Sequence, residues 1–101
     1  MVRHVVIFSW RPECDAGQIE RFKTALCELA HELRALVSID HGPDLSYRDG
    51  NGDYGLVAAF ADRAAWDAYQ AHPKHKAFVH DFVTPIQASR LTIQFEGVSA
   101  A

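Results

Sequence analysis

The stretch from Val2 to Trp10 alternates with the two-residue period of a strand and carries apolar side chains on both faces. His4, Val6, Phe8 and Trp10 project to one side, and Arg3, Val5, Ile7 and Ser9 to the other. This first strand is therefore apolar on both sides. Tyr54 to Phe60 has the same character. Two such strands in a chain of 101 residues bring apolar side chains to both faces of whatever sheet they enter.

The segments between them complete the pattern. Asp15 with Gln18 three residues on forms a capping box, after which Ile19, Phe22, Leu26, Leu29, Leu33 and Leu36 recur at helical spacing. Val37, Ile39 and His41 begin a second strand, which is interrupted at Gly42-Pro43 and resumes from Leu45 to Tyr47. The run from Arg48 to Asp53 holds two glycines and an asparagine and makes a turn into the strand at Tyr54. Asp62 caps a short helix over Arg63 to Ala71, and Phe78, Val79, Phe82, Val83 and Ile86 supply a further helical stripe to about Pro85. Arg90 to Glu96 closes the chain as a strand, with Leu91, Ile93 and Phe95 on one side. The order is βαββαβ. Right-handed crossovers then yield an α+β, ferredoxin-like unit: a four-stranded antiparallel sheet with its helices on one face. Residues 1–101 form one domain, with a loose tail from Gly97 to Ala101.

Helices on one face leave the other bare. The apolar residues that the strands place there exceed what a soluble monomer normally exposes, and a second copy packed face to face would bury them with two-fold symmetry. A homodimer is therefore expected.

Ten basic against thirteen acidic residues, a net charge of −3, provide no basic surface for a phosphate backbone, so a nucleic-acid partner is not expected. The apolar run Val5 to Phe8 is far below the roughly 20 residues that span a bilayer, and the start lacks the pattern of a secretory leader. The expected setting is the cytoplasm, away from membranes. Cys14 and Cys27 have no paired spacing and read as free thiols. Cys14, just before the helix cap, is placed where a thiol pKa can fall.

Chemistry concentrates between Trp66 and Phe78, in the run W-D-A-Y-Q-A-H-P-K-H-K-A-F. Tyr69 and His75 are six residues apart, which on a continuous helix is a rise of about 9 Å and a turn of about 600°, on different sides. Pro73 alters this. Its ring disfavours the helical conformation at His72, so one helix stops and another starts. Such a break can fold the Tyr69 hydroxyl and the His75 imidazole toward one cavity.

This segment, with the opening Met1 to Phe8, the Gly42-Pro43-Asp44 turn and the last strand, resembles the Dabb family of stress-responsive α/β-barrel domains along nearly the whole chain. The motif is Y-x-x-H-P-x-H-x-x-F at 69 to 78. The resemblance implies a dimeric α+β barrel. One class in that family, a plant polyketide cyclase, uses a tyrosine and a histidine at the positions matching Tyr69 and His75, with a histidine matching His4 lining its pocket. It thereby implies His75 as general base, Tyr69 as its orienting partner and His4 as a third catalytic residue. The substrate would be a small, largely apolar carbonyl compound, bound by Val6, Phe8, Phe22, Leu26, His41 and Phe78. No cofactor is needed for such a lyase-type closure. The alternative is a non-catalytic dimeric domain that binds a small molecule or acts in a stress response.

Bland readings stand beside these roles. His4, in an apolar strand, could be a satisfied core histidine, Tyr69 an amphipathic core residue and His75 a polar residue of a first helical turn. His72 fits a cap. His72, His75 and either His4 or His41 could meet as metal ligands, yet no carboxylate or cysteine lies at a supporting spacing, so no metal is expected. Haem-degrading monooxygenases of this barrel add an asparagine, whereas Asn51 here sits in a turn. Acylphosphatases carry a phosphate loop where Trp10 to Glu13 stands, and the strand at Tyr54 lacks an RNA-stacking platform.

Overall fold

In a computed structural model of the chain, which describes residues 1–98, both doubly apolar strands are interior. β1 (Val2–Trp10) lies between β3 (Tyr54–Phe60) and β4 (Gln87–Glu96), and β2 (Ser38–Pro43) borders β3 on its other side. All three pairings are antiparallel, giving the order β2-β3-β1-β4. The two edge strands, β2 and β4, are the more polar ones.

α1 (Ala16–Glu32) begins with the expected box: Asp15 accepts from the Gln18 backbone and the Gln18 side chain accepts from the Asp15 backbone. Its stripe meets the inward residues of β1 and β3. Phe22, fully buried, is ringed by Phe8, Trp10, Tyr54 and Phe78 at centroid distances of 5.4, 5.0, 5.1 and 5.6 Å. The molecule is 19 Å across its short axis, enough for a sheet and a single helix layer. The far face of the sheet is consequently open. Val5, Ile7, Val57, Leu91 and Ile93 form neighbouring rungs there, with Leu91 70% and Ile93 58% exposed.

Two boundaries depart from the sequence pattern. β2 ends at Pro43 and does not resume, leaving Leu45 and Tyr47 exposed in the loop. The Asp44 carboxylate accepts from the Ser46 backbone and from Asn51, each at 3.0 Å, and Ser46 and Gly50 adopt positive φ of 59° and 83°. An Asx turn has taken the donors a ladder would use. β4 begins at Gln87, earlier than its alternation indicated, because a bulge at Ser9/Trp10 brings Trp10 against Gln87. Of the tail, Gly97 and Val98 follow β4 without regular structure, and residues 99–101 lie outside the described residues.

The helical segment breaks at the proline. α2 (Arg63–Ala71) is capped by Asp62, which accepts from Ala65 N at 2.9 Å. His72 is extended (φ −67°, ψ 132°), and its Nδ1 accepts from Lys74 N at 3.1 Å, capping α3 (Pro73–Phe78). A π-helical turn, Val79–Val83, continues α3 toward β4.

Candidate active site

A cavity of about 180 Å³ opens between the α2–α3 break and the inward faces of β1 and β4. β1 contributes His4, Val6 and Phe8, and β3 contributes Leu56. Trp66, Tyr69 and Gln70 come from α2, His75 and Phe78 from α3, and Val79 and Val83 from the π turn. The remaining wall is Arg90, Thr92 and Gln94 of β4, in register with Phe8, Val6 and His4.

The break brings Tyr69 and His75 to this one cavity, their ring centroids 4.3 Å apart. The contact is ring to ring, and no hydrogen bond joins the two among the described residues. Tyr69 is 4% exposed and also packs edge-on against Phe60 at 5.3 Å. Burial pushes its hydroxyl up to about 12, so it is a proton donor at neutral pH. The His75 imidazole lies below the ordinary histidine value, mainly because burial disfavours the cation, with His4, Arg90 and His72 acting in the same direction. The Gln70 backbone opposes that trend, although His75 Nδ1 is buried without a hydrogen bond of acceptable geometry. Burial, and then Arg90, also lower His4, whose Nδ1 stands 2.9 Å from the Gln94 amide nitrogen. The cavity therefore presents two neutral imidazoles and one protonated phenol.

Of the expected binding residues, Val6, Phe8 and Phe78 line the cavity. Phe22 and Leu26 do not. Both are fully buried behind that wall, because α1 packs over the centre of the sheet and the cavity lies to one side of it. His41 is also elsewhere: its Nδ1 is 2.7 Å from the Tyr54 hydroxyl and its Nε2 3.4 Å from Cys27 Sγ. β2 lies beyond β3 from β1, and His41, the register partner of Leu56, turns to Tyr54 and Cys27 instead of lining the cavity. Cys14 runs opposite to expectation, since burial and the carboxylates of Asp15, Glu13 and Asp53 raise its thiol pKa. Sequence reasoning overlooked Trp66, Gln70 and the β4 wall. The signal for that wall was available in the alternation of β4, which opposes Arg90, Thr92 and Gln94 to Leu91, Ile93 and Phe95.

A one-faced, four-stranded ferredoxin-like sheet with a cavity under a proline-broken helix is the architecture of the dimeric α+β barrels. The sequence matches the stress responsive A/B barrel domain (Dabb) over residues 2–96, and the chain belongs to that family. Among solved structures, it is similar to a dimeric ferredoxin-like protein of unknown function from Thermobifida fusca, with 33% identity and a TM-score of 0.85 over 93% of this chain and 88% of that one. A Dabb family protein from Mesorhizobium loti is 28% identical, with a TM-score of 0.74 over 97% of each chain. The fold is also that of a hydroxynitrile lyase from Passiflora edulis, at 17% identity and a TM-score of 0.80 over 93% of this chain and 90% of that one. No curated protein matches the sequence. Among the described residues, no helix is long and apolar enough to cross a membrane.

Proposed function

We propose that this chain is a homodimeric, cofactor-independent enzyme of lyase or cyclase type that removes a proton α to the carbonyl of a small substrate. The single observation that carries the reading is the contact of Tyr69 and His75 at the wall of one cavity, opposite His4. A neutral imidazole at pH 7 is ready to accept a proton without first losing one. With Nδ1 buried, Nε2 is the His75 nitrogen left to reach a ligand. It takes the α proton, and the C–H electrons move onto the carbonyl oxygen as an enolate. The Tyr69 hydroxyl, a weak acid held protonated, donates to that oxygen. His4 is the second donor: with the Gln94 amide nitrogen facing its Nδ1, its proton resides on Nε2. One such donor is worth about 3 kcal/mol in comparable oxyanion sites. The enolate carbon then adds to a second carbonyl, whose oxygen takes the proton back from His75, as in an aldol closure.

At about 180 Å³ the cavity is smaller than the roughly 300–1,000 Å³ of drug-sized ligand sites, so the substrate is compact. A known lyase on the same fold makes such chemistry compatible with this scaffold. The dimer follows from the exposed apolar rungs of the open sheet face and from the dimeric state of similar structures. The missing Tyr69–His75 hydrogen bond favours the second reading, a domain that binds its ligand without turning it over. Deuterium incorporation at the α carbon of small ketones and keto acids in D2O, followed by NMR, separates the two. Exchange above the buffer rate supports catalysis, and exchange at the buffer rate across such compounds refutes it.

A further inference from the structure

The charge balance of the cavity wall points to a particular substrate class. Among the described residues that line it there is no aspartate or glutamate, while Arg90 supplies a guanidinium. Arg90 takes part in none of the ion pairs among the described residues. Beside it on the inward face of β4 stand Thr92 and Gln94, two further side chains able to donate. The tertiary structure thus collects a cation and neutral donors around a space with no acceptor of matching charge. We propose that Arg90 binds the carboxylate of the substrate, so that the site takes a small keto acid monoanion, with its carbonyl end toward His75 and His4.

The assignment rests on the reading of the site as a proton-abstracting one only for the orientation of the ligand. The choice of anion is independent of it. A planar guanidinium fork matches a carboxylate in two parallel hydrogen bonds. Burial, with Arg90 acting in the same direction, holds the His4 and His75 imidazoles below the ordinary histidine value, which leaves the exposed Arg90 guanidinium as the standing positive charge of the wall, a match for a monoanion. The strand geometry agrees. Arg90 lies beside Phe8 and Gln94 beside His4, four residues along β1, a separation of about 13 Å that a long arginine side chain and a short keto acid together span.

The test compares 4-oxopentanoate with its methyl ester, in binding by NMR titration and in α-deuterium exchange, using the wild-type protein, Arg90→Gln, Arg90→Lys and His75→Ala. The expected result is that wild type binds the acid at least about tenfold more tightly than the ester, that Arg90→Gln removes this preference while binding the ester as before, and that Arg90→Lys restores part of it. His75→Ala should keep the preference and lose the exchange. Equal affinity of wild type for acid and ester, a preference retained in Arg90→Gln, or tighter binding of inorganic phosphate than of the acid would overturn the assignment. An acid preference without exchange supports the carboxylate site and sinks the catalytic reading. Exchange that is equally fast for the ester does the reverse.

Discussion

Substituting the two residues that meet at the helix break tests the chemistry most directly, provided that folding survives. Tyr69 is 4% exposed and its ring contacts Phe60 and His75, so Tyr69→Ala would empty a core site at a cost of about 3–5 kcal/mol. Against a total stability of about 5–15 kcal/mol that variant is uninformative. Tyr69→Phe keeps the ring and removes only an oxygen for which no protein partner is found among the described residues, and should shift stability by less than about 1.5 kcal/mol. His75→Ala removes a half-buried ring whose Nδ1 makes no hydrogen bond, so no partner is orphaned. Loss of a general base costs about 10² to 10⁴ in rate, equivalent to roughly 2.7–5.4 kcal/mol at 1.36 kcal/mol per decade. Tyr69→Phe removes one donor worth about 3 kcal/mol but leaves the imidazole in place and His4 as the second donor, so its loss should be about 100-fold, at the lower end of that range. The assay is α-proton exchange for wild type and both variants, with circular dichroism melts alongside. An unchanged exchange rate in His75→Ala refutes His75 as the base. Activity losses that follow the melting temperature, with Tyr69→Phe falling as far as His75→Ala, return both residues to a purely structural role.

Mildly acidic pH should destabilise the fold. His4, His41 and His75 all lie below their unfolded value near 6.5, chiefly through burial, so their contribution is complete above about pH 6.5 and is lost as pH falls through the lower folded values. Melting temperature measured from pH 8 to 4.5 should decline below about 6.5, and His41→Gln should flatten the decline; a curve level down to pH 5 contradicts it. On the open sheet face, Ile93→Glu places a charge amid the apolar rungs and should shift the protein toward an 11.3 kDa monomer in sedimentation at micromolar concentration. A wild type that sediments only as monomer disproves the dimer itself. Phe22→Ala, at the centre of four aromatic contacts, should cost about 3–5 kcal/mol and lower Tm by more than about 12 °C, read by thermal melts, with a loss below about 1 kcal/mol counting against the packing described here.

Local rules carried the sequence a long way. The Asp15/Gln18 box had to start a helix and Pro73 had to end one, because each depends on a few neighbouring residues and on backbone sterics alone. The encounter of Tyr69 with His75 was legible for the same reason. Distances between elements were not. Which inward residues line a cavity and which fill the core depends on where α1 crosses the sheet, so Phe22 and Leu26 passed from expected wall to solid core. His41 was taken up by the Tyr54 hydroxyl and Cys27, long-range contacts that periodicity cannot express. The fall expected for the Cys14 thiol was reversed chiefly by burial, which only the packed structure supplies, and then by the carboxylates of Asp15, Glu13 and Asp53. The polar face of β4 became a cavity wall only when pairing with β1 turned it toward the helices, because an edge strand's alternation defines two faces and tertiary packing alone decides which of them meets a cavity.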